Sequence, residues 1–581
     1  MTVYNAALNA AIKVVNANGE LSGLDLLIVE AKAAIKRELA RGSHLVVAYS
    51  GGKDSSCTLA LTLWAAQEWV QEGNPVPTIH VAHSDTRVEN PLIHAYNQRQ
   101  LAKIRRYNSE QLPIQVWLAE PGLSHDYLVS LIGGRTIASV GSNTKCQQTM
   151  KAYPLKQLKG RIKKQLAQTT GSKRKDLRIV SVIGTRFDES LVRGAAMQER
   201  GESATEARVL NTASGELVLS PIANFTTDDV FELIGRVTSG KLSTYDSWEE
   251  LLTVYRDMNG GDCMVVAYVA GTEVPRAPCS ARTGCWTCLR VARDKSAENM
   301  LADEQGRFDW MRPLNELRNY IQKRHFDPTA RCWLGRTVNE ERGTIKIQPN
   351  AYSPEFCKEL LGIALTIQRD ERLAAWRKGC KPRFTLLDLQ QVLAIDMLWA
   401  RYGYQKPFTA VRLYREIEEN GKSVRIPDYS QLPDYTAADV KFSAEVPFCD
   451  RHYNATFSGL RDVNAAAADC EPLKTLKDGT YALQSTNEGD CFDIDEEGAE
   501  LFYEFDLDYA LERVTLDDAP ADAVLYLMGL GTIQLYKGGY SEWDRMIRMS
   551  NQIHRHQIQP VLHDPHALIE RLRKTAQLDL F

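Results

Sequence analysis

The chain has 581 residues, 12 of them cysteine, and its 70 Lys and Arg against 74 Asp and Glu give a formal charge of −4. At 44% hydrophobic and 25% charged residues it is not a disordered, collagen-like or coiled-coil sequence, and its length suits roughly two to four domains whose cores need no disulfide staples. Sparse, irregularly spaced cysteines argue against a disulfide framework and suit a reducing, cytoplasmic setting, while near-neutral charge excludes a globally basic nucleic-acid coat but not a local basic surface.

Met1–Ala40 lacks the basic start, apolar core and small-residue site of a secretory signal. His44–Ser50 reads as a buried strand that Gly51 and Gly52 interrupt, and Ser55–Gln67 follows with helical spacing. Thr78–His83 is a second strand, Pro91–Tyr107 a helix, Ile114–Leu118 a third strand and Arg178–Ile183 a fourth. This alternation predicts an α/β fold: a mostly parallel sheet with helices on both faces, and ligands beyond the strand C-termini. Polar clusters after Ser50, His83 and Ile183 fall at that edge. The predicted units are 1–240, a nucleotide-binding unit; 241–340, a helical segment with a cysteine-rich centre; and 341–581, mixed or mainly helical. In the last, Leu361–Trp376, Phe384–Tyr404 and Thr409–Asn420 read as helices and Pro427–Ala438 as loop. The uncharged stretch Ala523–Tyr536 is too short to span a bilayer, so no membrane partner is expected.

Charge is unevenly placed. Lys151, Lys156, Lys159, Arg161, Lys163, Lys164, Lys173, Arg174, Lys175 and Arg178 face only Asp176 within 151–180, whereas 488–522 holds fourteen Asp and Glu against Arg513. The basic run is a candidate phosphate-contacting surface or a solvated helix face; the acidic run is a solubilising or partner surface.

Ser50-Gly51-Gly52-Lys53-Asp54-Ser55 fits neither the Walker spacing nor GxGxxG. Two glycines after a strand permit a tight turn. Ser50, Ser55 and backbone N–H groups at a helix start can cradle phosphate oxygens, Lys53 can neutralise a leaving group, and Asp54 can orient a metal or cap the turn. The hexapeptide resembles the SGGxDS signature of the PP-loop ATP-pyrophosphatase superfamily, an adenine-nucleotide α-hydrolase-like fold. The resemblance implies bound ATP with Mg2+ and cleavage between the α and β phosphates. Further segments resemble the PAPS-reductase branch: Asp85-Thr86 near the nucleotide; Gly184-Thr185-Arg186 with Asp188-Glu189-Ser190 and Arg193; and Pro221-Ile222-Ala223-Asn224-Phe225-Thr226 with Asp229-Val230, where Phe225 replaces the usual Trp. Arg186 and Arg193 are then candidate oxyanion clamps, with surface ion pairing as the alternative.

The central segment reads Cys263-x15-Cys279-x5-Cys285-x2-Cys288: four cysteines within 26 residues, against eight in the other 555. Four thiolates suit an iron–sulfur cluster or structural zinc, and the spacing does not choose. With Gly284-Cys285-Trp286-Thr287-Cys288 and Asp294-Lys295-Ser296, the segment resembles the GCWxC…DKS stretch of DndC-type DNA phosphorothioation proteins, or of their single-strand relatives, over roughly residues 25–340. That resemblance implies a [4Fe-4S] cluster on Cys263, Cys279, Cys285 and Cys288, with Asp294 and Lys295 nearby and Trp286 packed over the site. It implies DNA as substrate, a cysteine desulfurase as sulfur donor and other phosphorothioation proteins as partners. Cys146, in Gly141-Ser142-Asn143-Thr144-Lys145-Cys146, resembles the K-W-C segment of the reductase branch without its Trp; it is a candidate sulfur carrier or an incidental thiol. Lys53, Asp54, Cys146 and Arg186 are the candidate catalytic residues. The expected activity is ATP-dependent sulfur transfer to the DNA backbone. Sulfonucleotide reduction, tRNA thiolation and a DNA-binding scaffold with structural zinc are the alternatives.

Overall fold

The computed structural model describes residues 23–211, 215–259, 284–455, 458–460, 473–475, 481–483, 492–514, 518–535 and 540–578. After helix α1 (Gly23–Ala40), the chain lays down β1 (His44–Tyr49), α2 (Lys53–Gln71), β2 (Ile79–Ser84), α3 (Pro91–Arg106) and β3 (Ile114–Ala119). It continues with α4 (Tyr127–Ile132), α5 (Tyr153–Thr170), β4 (Ile179–Val182), α6 (Leu191–Glu199), β5 (Arg208–Asn211), β6 (Glu216–Leu219) and α7 (Thr227–Thr238). Six strands form one sheet in the order β3-β2-β1-β4-β6-β5; β5 alone is antiparallel to its neighbour. The four strands read from the sequence, β1 to β4, are four of its five parallel strands.

Strand alternation explains why both faces are covered. Leu45, Val47 and Tyr49 enter a core shared with α1, α2, α3 and α7, whereas Val46 and Ala82 point to the opposite face. There they meet Leu158, Ile162 and Leu166, spaced four apart along one face of α5. Burying that stripe turns the other sides of the basic helix outward, and Arg161 and Lys164 are exposed. Part of the basic run is structural: Lys159 pairs with Glu216, Arg161 donates to the Leu118 carbonyl at 3.0 Å, and Arg178 lies 3.0 Å from Glu38. The acidic run is partly helical, and its exposed side carries Leu501, Phe505 and Tyr509 among carboxylates.

After α8 (Glu249–Met258), the described chain resumes at residue 284 and forms α9 (Lys295–Leu301) and α10 (Arg312–Arg324). A second core is then built by β7 (Arg331–Asn339), β8 (Thr344–Tyr352), α11 (Pro354–Arg377), α12 (Leu389–Tyr402), α13 (Thr409–Glu418) and β9 (Ala444–Pro447). The strands make a three-stranded antiparallel sheet that the sequence reading did not contain. The α11 and α13 expectations hold, but α12 starts at Leu389, not Phe384. Asp388 and Gln391 form a reciprocal capping box there, with bonds of 2.8 Å each way, which fixes where the helix begins. Helices α14 (Asp522–Gly529), α15 (Tyr540–Arg555) and α16 (Pro565–Leu578) complete the chain. Among the described residues, no helix is long and apolar enough to cross a membrane.

The second core reaches back into the N-terminal half. Helix α4 packs inside it, Trp399 Nε1 donates to the Ile132 carbonyl at 2.9 Å, and Gln391 donates to buried Asp126 at 3.0 Å. A Cβ on Gly133 would strike Leu398 and lie 2.5 Å from the Val129 carbonyl oxygen. Gly133→Ala is therefore expected to cost about 1–3 kcal/mol, read as a lowered midpoint in thermal denaturation. An unchanged midpoint would show that α4 and α12 are not packed this closely.

Candidate functional site: the nucleotide loop and cysteine turn

Gly51, at φ 74°, turns the chain from β1 into α2. Any Cβ there would be strained, and it would overlap the side-chain amide of Asn97. Helix α2 starts after Gly52 without a side-chain cap from Gly52 itself, and the Lys53 N–H donates to the Tyr255 hydroxyl at 3.3 Å. The Ser50 and Ser55 hydroxyls lie 3.1 Å apart, and Ser55 Oγ donates to the Gly52 carbonyl at 2.9 Å, so both line the turn.

Asp54 is tied on both sides. Lys53 Nζ lies 2.8 Å from Oδ2, and Arg186 Nε donates to Oδ1 at 2.7 Å. The Arg186 side chain is only 2% exposed and also donates to Thr227 Oγ1 at 3.2 Å. Asp188 accepts from the Thr227 N–H at 2.9 Å. The loop and the 221–229 segment are thus clamped together through a buried guanidinium. Gly184 permits this approach, because a Cβ there would lie 2.9 Å from the Asp54 carbonyl. Arg186 therefore holds the loop through Asp54. Arg193 lies in an exposed ion pair with Glu189 one helical turn away, and its own N–H is capped by Ser190 at 3.2 Å.

At the end of β2, Asp85 is buried and accepts from the Arg87 N–H at 2.8 Å and from His94 Nδ1 at 3.2 Å. Burial favours the neutral acid, but the His94 and Arg87 bonds outweigh it and hold the carboxyl below its ordinary range. The same contact raises His94 above the ordinary imidazole value. Sequence reasoning missed His94, whose pairing becomes visible only when α3 folds over the strand edge.

One comparison with known proteins bears on this arrangement. Residues 44–246 match the phosphoadenosine phosphosulfate reductase domain. The chain carries a PAPS-reductase-like domain of the PP-loop superfamily, and enzymatic chemistry on ATP or a sulfonucleotide accords with that membership. No curated protein matches the chain.

The cysteine turn docks directly onto the edge of this PAPS-reductase-like domain. Cys285 bridges Glu89, the Trp286 N–H donates to the Val88 carbonyl at 3.0 Å, and Thr86 Oγ1 lies 3.8 Å from Cys285 Sγ. Arg318 of α10, itself buried, donates to the Cys288 and Ala292 carbonyls at 3.0 and 3.1 Å. Trp286 is buried in the second core. Asp294 has a local task, capping α9 through the Ala297 N–H at 3.1 Å, and Lys295 is exposed.

Cys146 belongs to the same neighbourhood. Val140 bridges Leu289, Arg290 donates to the Gly141 carbonyl at 3.1 Å, and Cys146, like Cys285, packs against the second core. A π turn at Gln148–Ala152 follows, a distortion that recurs at functional sites. It carries Lys151, whose charge acts on Cys285, Glu89 and His83. Burial pushes the Cys285 thiol up to about 11, and Lys151 opposes it.

Cys285 and Cys288 thus supply two thiols on one turn, in kind suited to a thiolate-bound metal. Cys263 and Cys279 lie outside the described residues, and among the described residues no group of three or more His, Cys, Asp or Glu is arranged to hold a metal ion. Cys57, by contrast, is buried in the first core.

The His94–Asp85 contact gives a direct test. A raised histidine contributes stability in full below its unfolded value of about 6.5 and loses it as pH rises through the folded value. His94 should titrate above 6.5 in an NMR pH series, and Asp85→Asn should bring it down and flatten stability across that window. A His94 midpoint unmoved by the substitution would remove the pairing.

Proposed function

We propose that the protein activates a phosphate of DNA with ATP and replaces one non-bridging oxygen by sulfur. The observation that supports this reading is the docking of Cys285 on Glu89 and Thr86, just beyond the end of β2 in the PAPS-reductase-like domain. MgATP would lie over residues 50–55, at the N-terminal end of α2, with Ser50 and Ser55 on phosphate oxygens. Lys53 exchanges Asp54 for the phosphates. Arg186 keeps Asp54 and the loop in place, and Asp85 with His94 forms the polar wall toward the cysteine turn.

In the first step a DNA phosphate oxygen attacks the α-phosphorus and pyrophosphate leaves. In the second, the terminal sulfur of a persulfide displaces AMP from the DNA phosphorus. A thiol then breaks the remaining S–S bond, and the disulfide formed is reduced by an external dithiol. Cys146 is the proposed carrier of that sulfur, supplied by a cysteine desulfurase. Cys285 and Cys288, with Cys263 and Cys279, are the proposed ligands of a [4Fe-4S] cluster, or of zinc in its place; such a cluster supplies redox or sulfur-carrying chemistry. The exposed cations of α5 and of residues 173–175 are the proposed contacts to DNA phosphates, which position the duplex or strand and read no bases. This requires the other proteins of a phosphorothioation system.

A second reading, reduction of a sulfonucleotide, is favoured by the domain match over residues 44–246. It uses the same loop and a thiol but needs no DNA.

Purified anaerobically, the protein should contain iron and labile sulfide. It should release AMP from α-labelled ATP only with DNA and a persulfide donor present. Lys53→Ala should slow that release by about 100-fold or more. Sulfite release from a sulfonucleotide with a dithiol, and no DNA-dependent AMP, would establish the second reading instead. Cys146→Ser should abolish sulfur incorporation and leave metal content intact.

A further inference from the structure

A cleft of about 740 Å3 opens on the second core between the start of α11, the 403–413 segment and the C-terminal end of α15. It lies outside the PAPS-reductase-like domain. Lys358, Lys406, Arg412, Lys422, Arg555 and His554 line it. The acidic residues among its lining are Glu416 and Asp518.

Internal ion pairs use only part of this charge. Lys422 Nζ lies 2.6 Å from Glu416, and Arg555 Nη1 lies 2.8 Å from Asp450. Lys358, Lys406 and Arg412 have no ion pair among the described residues. The buried carboxylate that feels Arg412, Asp396, is already occupied: it accepts the Ala410 and Val411 N–H groups at 2.7 and 2.8 Å and so caps α13. Like charges gathered in one concavity repel one another and raise the local concentration of anions. Of the four described non-glycine residues with left-handed backbone, Gln557 at φ 49° lines the cleft and Phe408 at φ 58° immediately precedes its Thr409. Such strain persists where surrounding structure enforces it, and it collects at binding sites.

The lining also limits the ligand. Apart from His554 it contains no aromatic ring, so it offers little platform for a base. Gln405 and Gln559, which also line it, each commit one amide N–H, to the Pro354 and Tyr404 carbonyls respectively. Recognition therefore falls to the uncommitted cations, and their number calls for more than one negative charge. The volume is in the range of small-molecule sites.

We propose that this cleft is a second phosphate site, separate from the loop at residues 50–55, that binds two or more adjacent phosphates, as in a nucleoside polyphosphate or a nucleic-acid backbone. The inference rests on the cleft's own charge balance and does not depend on the function proposed above.

Hydrogen–deuterium exchange on the full chain tests it with two probes, inorganic tripolyphosphate and an oligodeoxynucleotide of about 12 nucleotides. Either probe should slow exchange in residues 403–413 and 553–560. The combined variant Lys358→Gln, Lys406→Gln, Arg412→Gln should weaken that protection at least about tenfold, in line with the loss of several phosphate contacts. An unchanged thermal midpoint and unchanged exchange in the sheet strands of the same variant show that it is folded. Protection by tripolyphosphate identifies a small polyphosphate ligand, and protection by the oligonucleotide alone identifies the backbone. Protection by neither probe, or equal protection in the variant, would overturn the proposal.

Discussion

The buried guanidinium of Arg186 is the constraint on which the candidate site depends. A charge with a 2% exposed side chain must be paired, and its partner is Asp54, in the first turn of the helix that follows the nucleotide loop. That pairing ties the ends of β1 and β4 to the segment after β6. Lys53 is the more replaceable partner, because Asp54 keeps its 2.7 Å bond to Arg186 whether or not Lys53 is present. A polyphosphate entering the loop can draw Lys53 away without unpicking the clamp.

The second dependency runs between the two cores. The cysteine turn touches the sheet edge through Val88 and Glu89, but it is held from behind by Trp286 in the second core and by Arg318 of α10. Helix α4 meets that core from the N-terminal half. Residues beyond the PAPS-reductase-like domain therefore hold the cysteine turn against the 86–90 segment that follows β2. This gives the long C-terminal region a structural purpose, in addition to the cationic cleft it carries on its surface.

Much of the first core was legible because short-range rules govern it. Paired glycines after an apolar run mark a strand-to-helix turn, and four apolar runs separated by helical spacing describe a parallel sheet. The docking of the cysteine turn on Glu89 was not legible, since a contact between residue 89 and residue 285 has no sequence period. His94 was invisible for a related reason: its role is set by the packing of α3 over the end of β2. The β7–β8 hairpin escaped because its register slips between Cys332 and Val338, which breaks the alternation that a strand reading relies on. Arg186 and Arg193 looked equivalent as motif residues, but burial separates them into a clamp and an exposed ion pair.

Nuclease-digested DNA analysed by mass spectrometry tests the central claim most directly. The comparison is between cells carrying the complete gene set with the intact chain and cells in which the chain is absent or bears Lys53→Ala or Cys285→Ser. The account predicts a phosphorothioate dinucleotide with the intact chain and none in the other three. A phosphorothioate signal that persists without the chain, or that never appears with it, would contradict the account.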